Sequence, residues 1–191
     1  MAITDMTFRT FIAVSIPSDV RSLAAQTAES LFESIKGLTL VKPSNMHLTL
    51  AFIGDISPDC MEPAYQPLSM LAESLTPFRV SFDRIATFPS VIFIKPSDGS
   101  QALIDLASGV RTILRKNDLP YDTKTFKGHL TVARTKDRRT KAQTFLKSYA
   151  MDTRFNIEFV LDNFSVIQSE LTREGPIYTI MKSFNLGKGE V

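Results

Sequence analysis

The chain contains only two histidines, and both stand in the same local sequence: His47-Leu48-Thr49-Leu50 and His129-Leu130-Thr131-Val132. They lie 82 positions apart (129 − 47). From ordinary residue frequencies, both falling into His-Leu-Thr-aliphatic by chance is less likely than about one in a thousand. A single strand histidine is more often structural than catalytic. A duplicated pair that exhausts the histidines of the chain points to function. Imidazole titrates near neutrality, so one neutral ring can accept a proton while a second, charged ring donates one. Such paired acid–base catalysis contributes typically about 10²–10⁴-fold per partner. The nearby threonine hydroxyls can donate hydrogen bonds to non-bridging phosphate oxygens, where negative charge must be held. Phosphoryl transfer depends mainly on positioning and charge stabilisation, so this set suffices without a metal.

The spacing says what must hold these groups. On a strand, alternate side chains share a face, so each histidine and the threonine two residues on point the same way. Leu48, Leu50, Leu130 and Val132 then point into a core. Two such strands facing across a cleft surround a pocket with two imidazoles and two hydroxyls.

The rest of the chain reads as alternating elements. Thr7 to Ile16 is a strand, ended by Pro17; Asp19 to Lys36 is a helix capped by Ser18 and closed by Gly37. Leu38 to Lys42 is a short strand broken by Pro43, and Met46 to Ile53 a strand stopped by Gly54-Asp55. Asp59 to Leu75 is a helix weakened by Pro63 and Pro67. Phe78 to Ala86 and Ser90 to Lys95 form a hairpin, Gln101 to Lys116 an amphipathic helix, and Gly128 to Arg134 a strand. Thr140 to Tyr149 is a helix, and Thr153 to Ile167 and Ile177 to Leu186 are two long strands. Consecutive strands favour antiparallel pairing, so the expected class is α+β. Strand, helix and histidine strand recur in both halves, which suggests a duplicated unit within one domain spanning 1–191.

Composition excludes several classes. Of 191 residues, 43% are apolar and 22% charged, as in ordinary globular proteins. No stretch is apolar and long enough to span a membrane, and the N-terminus lacks the pattern of a signal peptide. The expected location is the cytoplasm. Cys60 is the single cysteine and forms no internal disulfide; a partly buried, inert thiol is the expected state. Two histidines and one cysteine do not make a usual zinc set, and no His-Glu-x-x-His, Gly-x-Gly-x-x-Gly, Walker loop or Gly-x-Ser-x-Gly occurs. No metal and no cofactor are expected, and a monomer is the default.

Net charge is only +2, but its distribution is uneven. From Tyr121 to Lys141, seven cations (Lys124, Lys127, Arg134, Lys136, Arg138, Arg139, Lys141) face two anions (Asp122, Asp137). A charge run is usually a solvated face; beside a candidate catalytic motif it also attracts phosphates.

At these residues the chain resembles the two-histidine (2H) phosphoesterases, in particular the 2′-5′ RNA ligase-like branch that includes RNA 2′,3′-cyclic phosphodiesterases. The resemblance runs through Arg9–Pro17, Lys42–Gly54, Phe126–Arg134 and the closing stretch from Ser169 to Tyr178. It implies a bilobal α+β fold, with two antiparallel sheets lining a central cleft and helices outside. It implies hydrolysis of terminal 2′,3′-cyclic phosphate to 2′-phosphate, with reversible 2′-5′ joining in some members. It assigns catalysis to His47 and His129 and phosphate binding to Thr49, Thr131 and Arg134. The family usually has proline before the second histidine, where this chain has Gly128. Arg134, five residues after His129, would face away from it on an unbroken strand, so a bend or bulge after Val132, or the strand end, is required to aim it inward. Lys42 and Lys127 are candidate RNA contacts and equally ordinary surface charges. Phe52 and Phe126 are candidate stacking surfaces, although core packing is the commoner role of phenylalanine. The expected partners are RNA ends or small cyclic-phosphate nucleotides. A phosphodiesterase for cyclic nucleotides or 2′-5′ oligoadenylates, and a non-catalytic RNA-binding domain, are the alternatives.

Overall fold

The structure is a computed structural model in which residues 7–32, 36–135, 154–173 and 175–187 are described. Nine strands form two antiparallel sheets among these residues: β1 Phe8–Val14, β2 Leu38–Leu40, β3 Leu48–Ile56, β4 Phe78–Phe88, β5 Val91–Asp98, β6 Leu130–Thr135, β7 Arg154–Leu161, β8 Asn163–Thr172 and β9 Gly175–Asn185. One sheet has the order β3-β1-β8-β9, the other β2-β6-β5-β4-β7. Three helices join them: α1 Ser18–Phe32, α2 Glu62–Glu73 and α3 Ser100–Lys116. The α+β class with two antiparallel sheets is as the sequence indicates. The predicted helix over 140–149, residues 33–35 of the first helix, and the basic residues beyond Thr135 lie outside the described residues.

The helices bind the sheets crosswise. α1 follows β1 of the first sheet yet packs on β2, β6 and β7 of the second; α3 follows β5 of the second sheet and packs on β3 of the first. One apolar cluster accordingly reaches from Ile12 and Leu48 through Leu68 and Leu103 to Leu130 and Phe159. Leu48, Leu50, Leu130 and Val132 are all fully buried. Burying such a side chain is worth roughly 1.5–3 kcal/mol, so each histidine motif is anchored by its own alternate residues.

Several boundaries differ from the sequence reading. β3 runs through Gly54-Asp55 to Ile56, because Gly54 takes a φ of +103° at an irregularity in the pairing with β1 rather than ending the strand. The predicted Asp59–Leu75 helix splits into a 3-10 turn, Pro58–Met61, and α2; Pro63 falls in the first turn, where its missing amide is not needed. The single strand expected over 153–167 is two strands parted at Asp162. β7 pairs with β4 in one sheet, and β8 pairs with β1 in the other, so the chain changes sheets there. Cys60 is exposed within the 3-10 turn, not partly buried.

Candidate active site

His47 and His129 each stand one residue before a strand, β3 or β6. Both are held by the same device. His47 Nδ1 lies 2.9 Å from the carbonyl oxygen of Asn45, and His129 Nδ1 lies 2.7 Å from that of Lys127. A carbonyl only accepts, so in both rings Nδ1 carries a hydrogen and Nε2 is the nitrogen left for proton transfer. Aromatic rings fix the remaining freedom. Phe11 and Tyr178 sit 4.9 and 5.1 Å from His47, ring centre to ring centre; Phe93 and Phe88 sit 5.2 and 5.3 Å from His129.

The register explains why the histidine, the threonine and the residue five after the histidine share one face. On β6, Thr131 pairs with Phe93 and Ala133 with Ile92, so Val132 is an extra residue. On β3, Thr49 pairs with Ala13 and Ala51 with Ile12, so Leu50 is the extra one. Each is a β-bulge at the fourth position of the motif. Alternation shifts by one, and Val132-Ala133 and Leu50-Ala51 are buried in succession. Position five after the histidine then turns back to the cleft: Arg134 in one motif, Phe52 in the other.

His47, Thr49, His129, Thr131, Arg134 and Lys42 line one open cavity of about 280 Å³, whose wall also includes Thr39-Leu40-Val41, Asn45, Tyr178 and the Gly175-Pro176 turn of the β8–β9 hairpin. The threonine hydroxyls have no hydrogen-bond partner among the described residues and line the cavity. Lys127, Phe52 and Phe126 do not line it. They face a second cavity, of about 740 Å³, which also touches Thr49 and His129. Phe52 is 39% exposed and so is not a core residue; Phe126 is half-buried against the core.

Burial is the main influence on both imidazoles and lowers their pKa below the usual 6.5. The Arg134 guanidinium pushes both the same way, and for His47 so does His129. The carbonyl bonds from Asn45 and Lys127 oppose this by favouring the charged rings. Both rings are therefore poised neutral but readily charged once an anion enters. Burial raises the Tyr178 hydroxyl pKa, keeping it a neutral donor beside His47. No group of three or more His, Cys, Asp or Glu side chains able to hold a metal converges among the described residues.

The sequence model of the 2′-5′ RNA ligase superfamily matches residues 18–173. The chain belongs to that superfamily. A protein of Aquifex aeolicus named RNA 2′,3′-cyclic phosphodiesterase is 30% identical over 94% of this chain and 97% of its own length. One of the same name from Thermus thermophilus is 32% identical over 95% of this chain and 91% of its own. Among solved structures, the Thermus thermophilus protein TT0787 superposes with a TM-score of 0.75 at 29% identity, covering 96% of this chain and all of that one. Escherichia coli LigT, at 22% identity, shares the fold, with a TM-score of 0.74 over 95% of this chain and 99% of its own.

Several wall residues of this superfamily member were not legible as site residues. Tyr178 and the Gly175-Pro176 turn come from the far end of the chain. Asn45 acts through its backbone carbonyl, as does Lys127 in holding His129, a role that no side-chain pattern reveals. The doubled apolar pairs Leu50-Ala51 and Val132-Ala133, each directly before the inward-facing residue, are the one sequence signal of the bulges. No helix among the described residues is long and apolar enough to cross a membrane.

Proposed function

We propose that this chain hydrolyses the 2′,3′-cyclic phosphate at RNA ends to a 2′-phosphate, with His47 and His129 as the acid–base pair. The observation that carries this reading is the pair of imidazoles held alike through Nδ1, with Nε2 of each free in one cavity. A neutral Nε2 takes the proton of the attacking water as its oxygen bonds to phosphorus. The other ring, charged, gives its Nε2 proton to O3′ as the P–O3′ bond breaks. The products are a 2′-phosphate and a 3′-hydroxyl. Thr49 and Thr131 donate to the non-bridging oxygens, and Arg134 balances their charge. With an RNA 5′-hydroxyl in the place of water, the same displacement joins two ends through a 2′-5′ bond.

The names of the curated relatives support this substrate, and Escherichia coli LigT has been solved with 3′-AMP and with phosphate. The shared bulge, carbonyl and aromatic walls support reading the chain as one domain of two related halves; the further reading, a cytoplasmic monomer that needs no metal, follows from the sequence alone. The test is hydrolysis of an oligonucleotide 2′,3′-cyclic phosphate in EDTA by the wild type, His47→Ala and His129→Ala. Each variant should lose about 10²-fold or more, with 2′-phosphate as the wild-type product. A wild type inactive from about pH 5 to 8, or a histidine variant at full rate, sinks the proposal.

A further inference from the structure

Ser108, Arg111, Thr112 and Arg115 follow one another along α3 at spacings of three and four residues, so they share one face of that helix. Asp118, at a φ of +54°, reverses the chain, and Tyr121 and Thr123 return alongside that face. Between helix and loop lies a third cavity, of about 250 Å³. Two guanidinium groups one helical turn apart repel each other. Neither has a carboxylate partner among the described residues, and no carboxylate lines the cavity. Asp122 faces the second cavity instead, with its carboxylate taken by the Lys124 amide and ammonium. The helix dipole favours cations in the last turn, which accounts for Arg115 and Lys116 but not for Arg111.

The donors of this cavity are unspent. Arg111 is held in place: its Nε donates to the Leu50 carbonyl, its Nη1 to that of Lys124, and it packs 5.7 Å from the centre of the Phe126 ring. Its Nη2 has no partner among the described residues. On α1, Ser22 and Thr27 turn their hydroxyls back onto carbonyls four residues earlier. The hydroxyls of Ser108, Thr112, Tyr121 and Thr123 have no hydrogen-bond partner among the described residues and line the cavity.

We propose that this third cavity is a phosphate-binding site, separate from the catalytic one, which takes a phosphate oxyanion through Arg111, Arg115 and the surrounding hydroxyls. The site stands on its own donors and does not depend on the hydrolase reading. Guanidinium groups present parallel N–H donors that match phosphate oxygens, and the hydroxyls add neutral donors around them. Arg111 is ordered before any ligand arrives, so little side-chain freedom is lost on binding. Two sources supply this chemistry. Arg111 and Phe126 also border the second cavity, which shares Thr49 and His129 with the catalytic one, so a strand held at the histidines reaches the site with one of its phosphodiesters. Ser108, Arg115 and Thr123 are exposed, so a free phosphate enters from solvent.

The experiment titrates inorganic phosphate into the protein at constant ionic strength and follows the backbone amide resonances. Amides of residues 108–115 and 121–123 should shift along a saturating curve of their own, distinct from the curve of amides around His47 and His129. Arg115→Gln should weaken the first curve about tenfold or more and leave the second in place, which also shows that the variant is folded. Arg115→Lys should recover only part, since an ammonium lacks the planar fork. An RNA oligonucleotide with a 3′-hydroxyl then separates the sources. If it displaces phosphate from residues 108–115, the ligand is a strand phosphodiester, and Arg115→Gln lowers the salt slope of oligonucleotide binding by about one. If phosphate stays there, the ligand is a free phosphate. The site is overturned if residues 108–115 show no saturating shift up to about 10 mM phosphate, if chloride shifts them equally, or if Arg115→Gln binds as tightly as wild type. None of these readouts uses turnover, so an inactive hydrolase would not be mistaken for a missing site.

Discussion

The two histidine-bearing halves share a scaffold and differ in what it presents. In each, a carbonyl two residues back holds Nδ1, two aromatic rings pack against the imidazole, and a bulge at the fourth motif position reverses the alternation. Even the bulge carbonyls are satisfied at corresponding places, by different donors. Val132 accepts the backbone amide of Val41 at 2.9 Å, next to the strand pairing of β2 with β6. Leu50 accepts Arg111 Nε at 3.3 Å, and the neighbouring Phe52 carbonyl accepts the Asp122 amide at 2.9 Å. One half completes its edge with a strand; the other does so with a guanidinium and a loop. The lesson is that the same backbone device aims the imidazole in both halves, while the residue that the bulge swings inward differs, an arginine in one and a phenylalanine in the other.

That contrast is broken most sharply at position five. Arg134→Gln should lower kcat/KM about 10²-fold, as loss of one preorganised charge donor at a developing oxyanion typically does. Phe52→Gln should act chiefly through KM and cost far less in kcat. Steady-state kinetics on a cyclic-phosphate oligonucleotide decides it. Equal kcat losses at the two positions would mean that both halves hold the phosphate.

A smaller effect sharpens the edge comparison. Arg111 joins α3 to β3 through Leu50 and to the loop before His129 through the Lys124 carbonyl, which its Nη1 reaches at 2.7 Å. Arg111→Met leaves two carbonyls short of a donor, at about 1–3 kcal/mol for a buried group and less for an exposed one. We expect chemical denaturation to show a loss near the low end of that range, together with a several-fold fall in kcat as the loop carrying Lys127 loosens. Arg111→Lys should recover little, since an ammonium does not reproduce the two-pronged geometry. Unchanged stability and rate in Arg111→Met would show that the Asp122–Phe52 backbone bond alone holds that edge.

How much of this was written in the sequence depends on whether side chains or backbone do the work. The histidines and threonines were legible because duplication is a statistical signal and strand alternation a physical one. The need for a bend, a bulge or a strand end before Arg134 followed from counting residues; which of the three it is did not. The matching bulge beside Phe52 did not, because a phenylalanine facing a cleft or a core looks the same in sequence. The α+β class followed from consecutive strands. The change of sheet at Asp162 did not: Leu161 and Phe164 are both buried, and an apolar run does not say which sheet it joins. Gly54 was read as a stop because glycine ends strands as often as it bends them. The crosswise packing of α1 and α3 is a long-range property that no local pattern encodes.

The smallest expected effect concerns pH. Catalysis by the pair needs one imidazole charged and one neutral, so the rate should be bell-shaped, with apparent pKa values belonging to the pair. Burial and Arg134 lower both rings in the free protein, so the kcat/KM optimum should fall on the acid side of 6.5. A bound phosphate anion favours the imidazolium, so the kcat optimum should lie at higher pH than the kcat/KM optimum. In Arg134→Gln the repelling cation is gone from beside both rings, both pKa values rise, and the kcat/KM bell should move alkaline while its height drops. Stability carries the same sign. A depressed folded-state pKa means that below 6.5 the unfolded chain takes up protons that the fold resists, so stability is full above that pH and is lost as pH falls through the lowered values. The loss should be smaller in Arg134→Gln than in wild type. Full pH profiles of the two proteins test this: an alkaline-side optimum for wild-type kcat/KM, or a bell that stays in place when Arg134 is removed, would mean that the guanidinium does not sit close enough to both rings to govern them together.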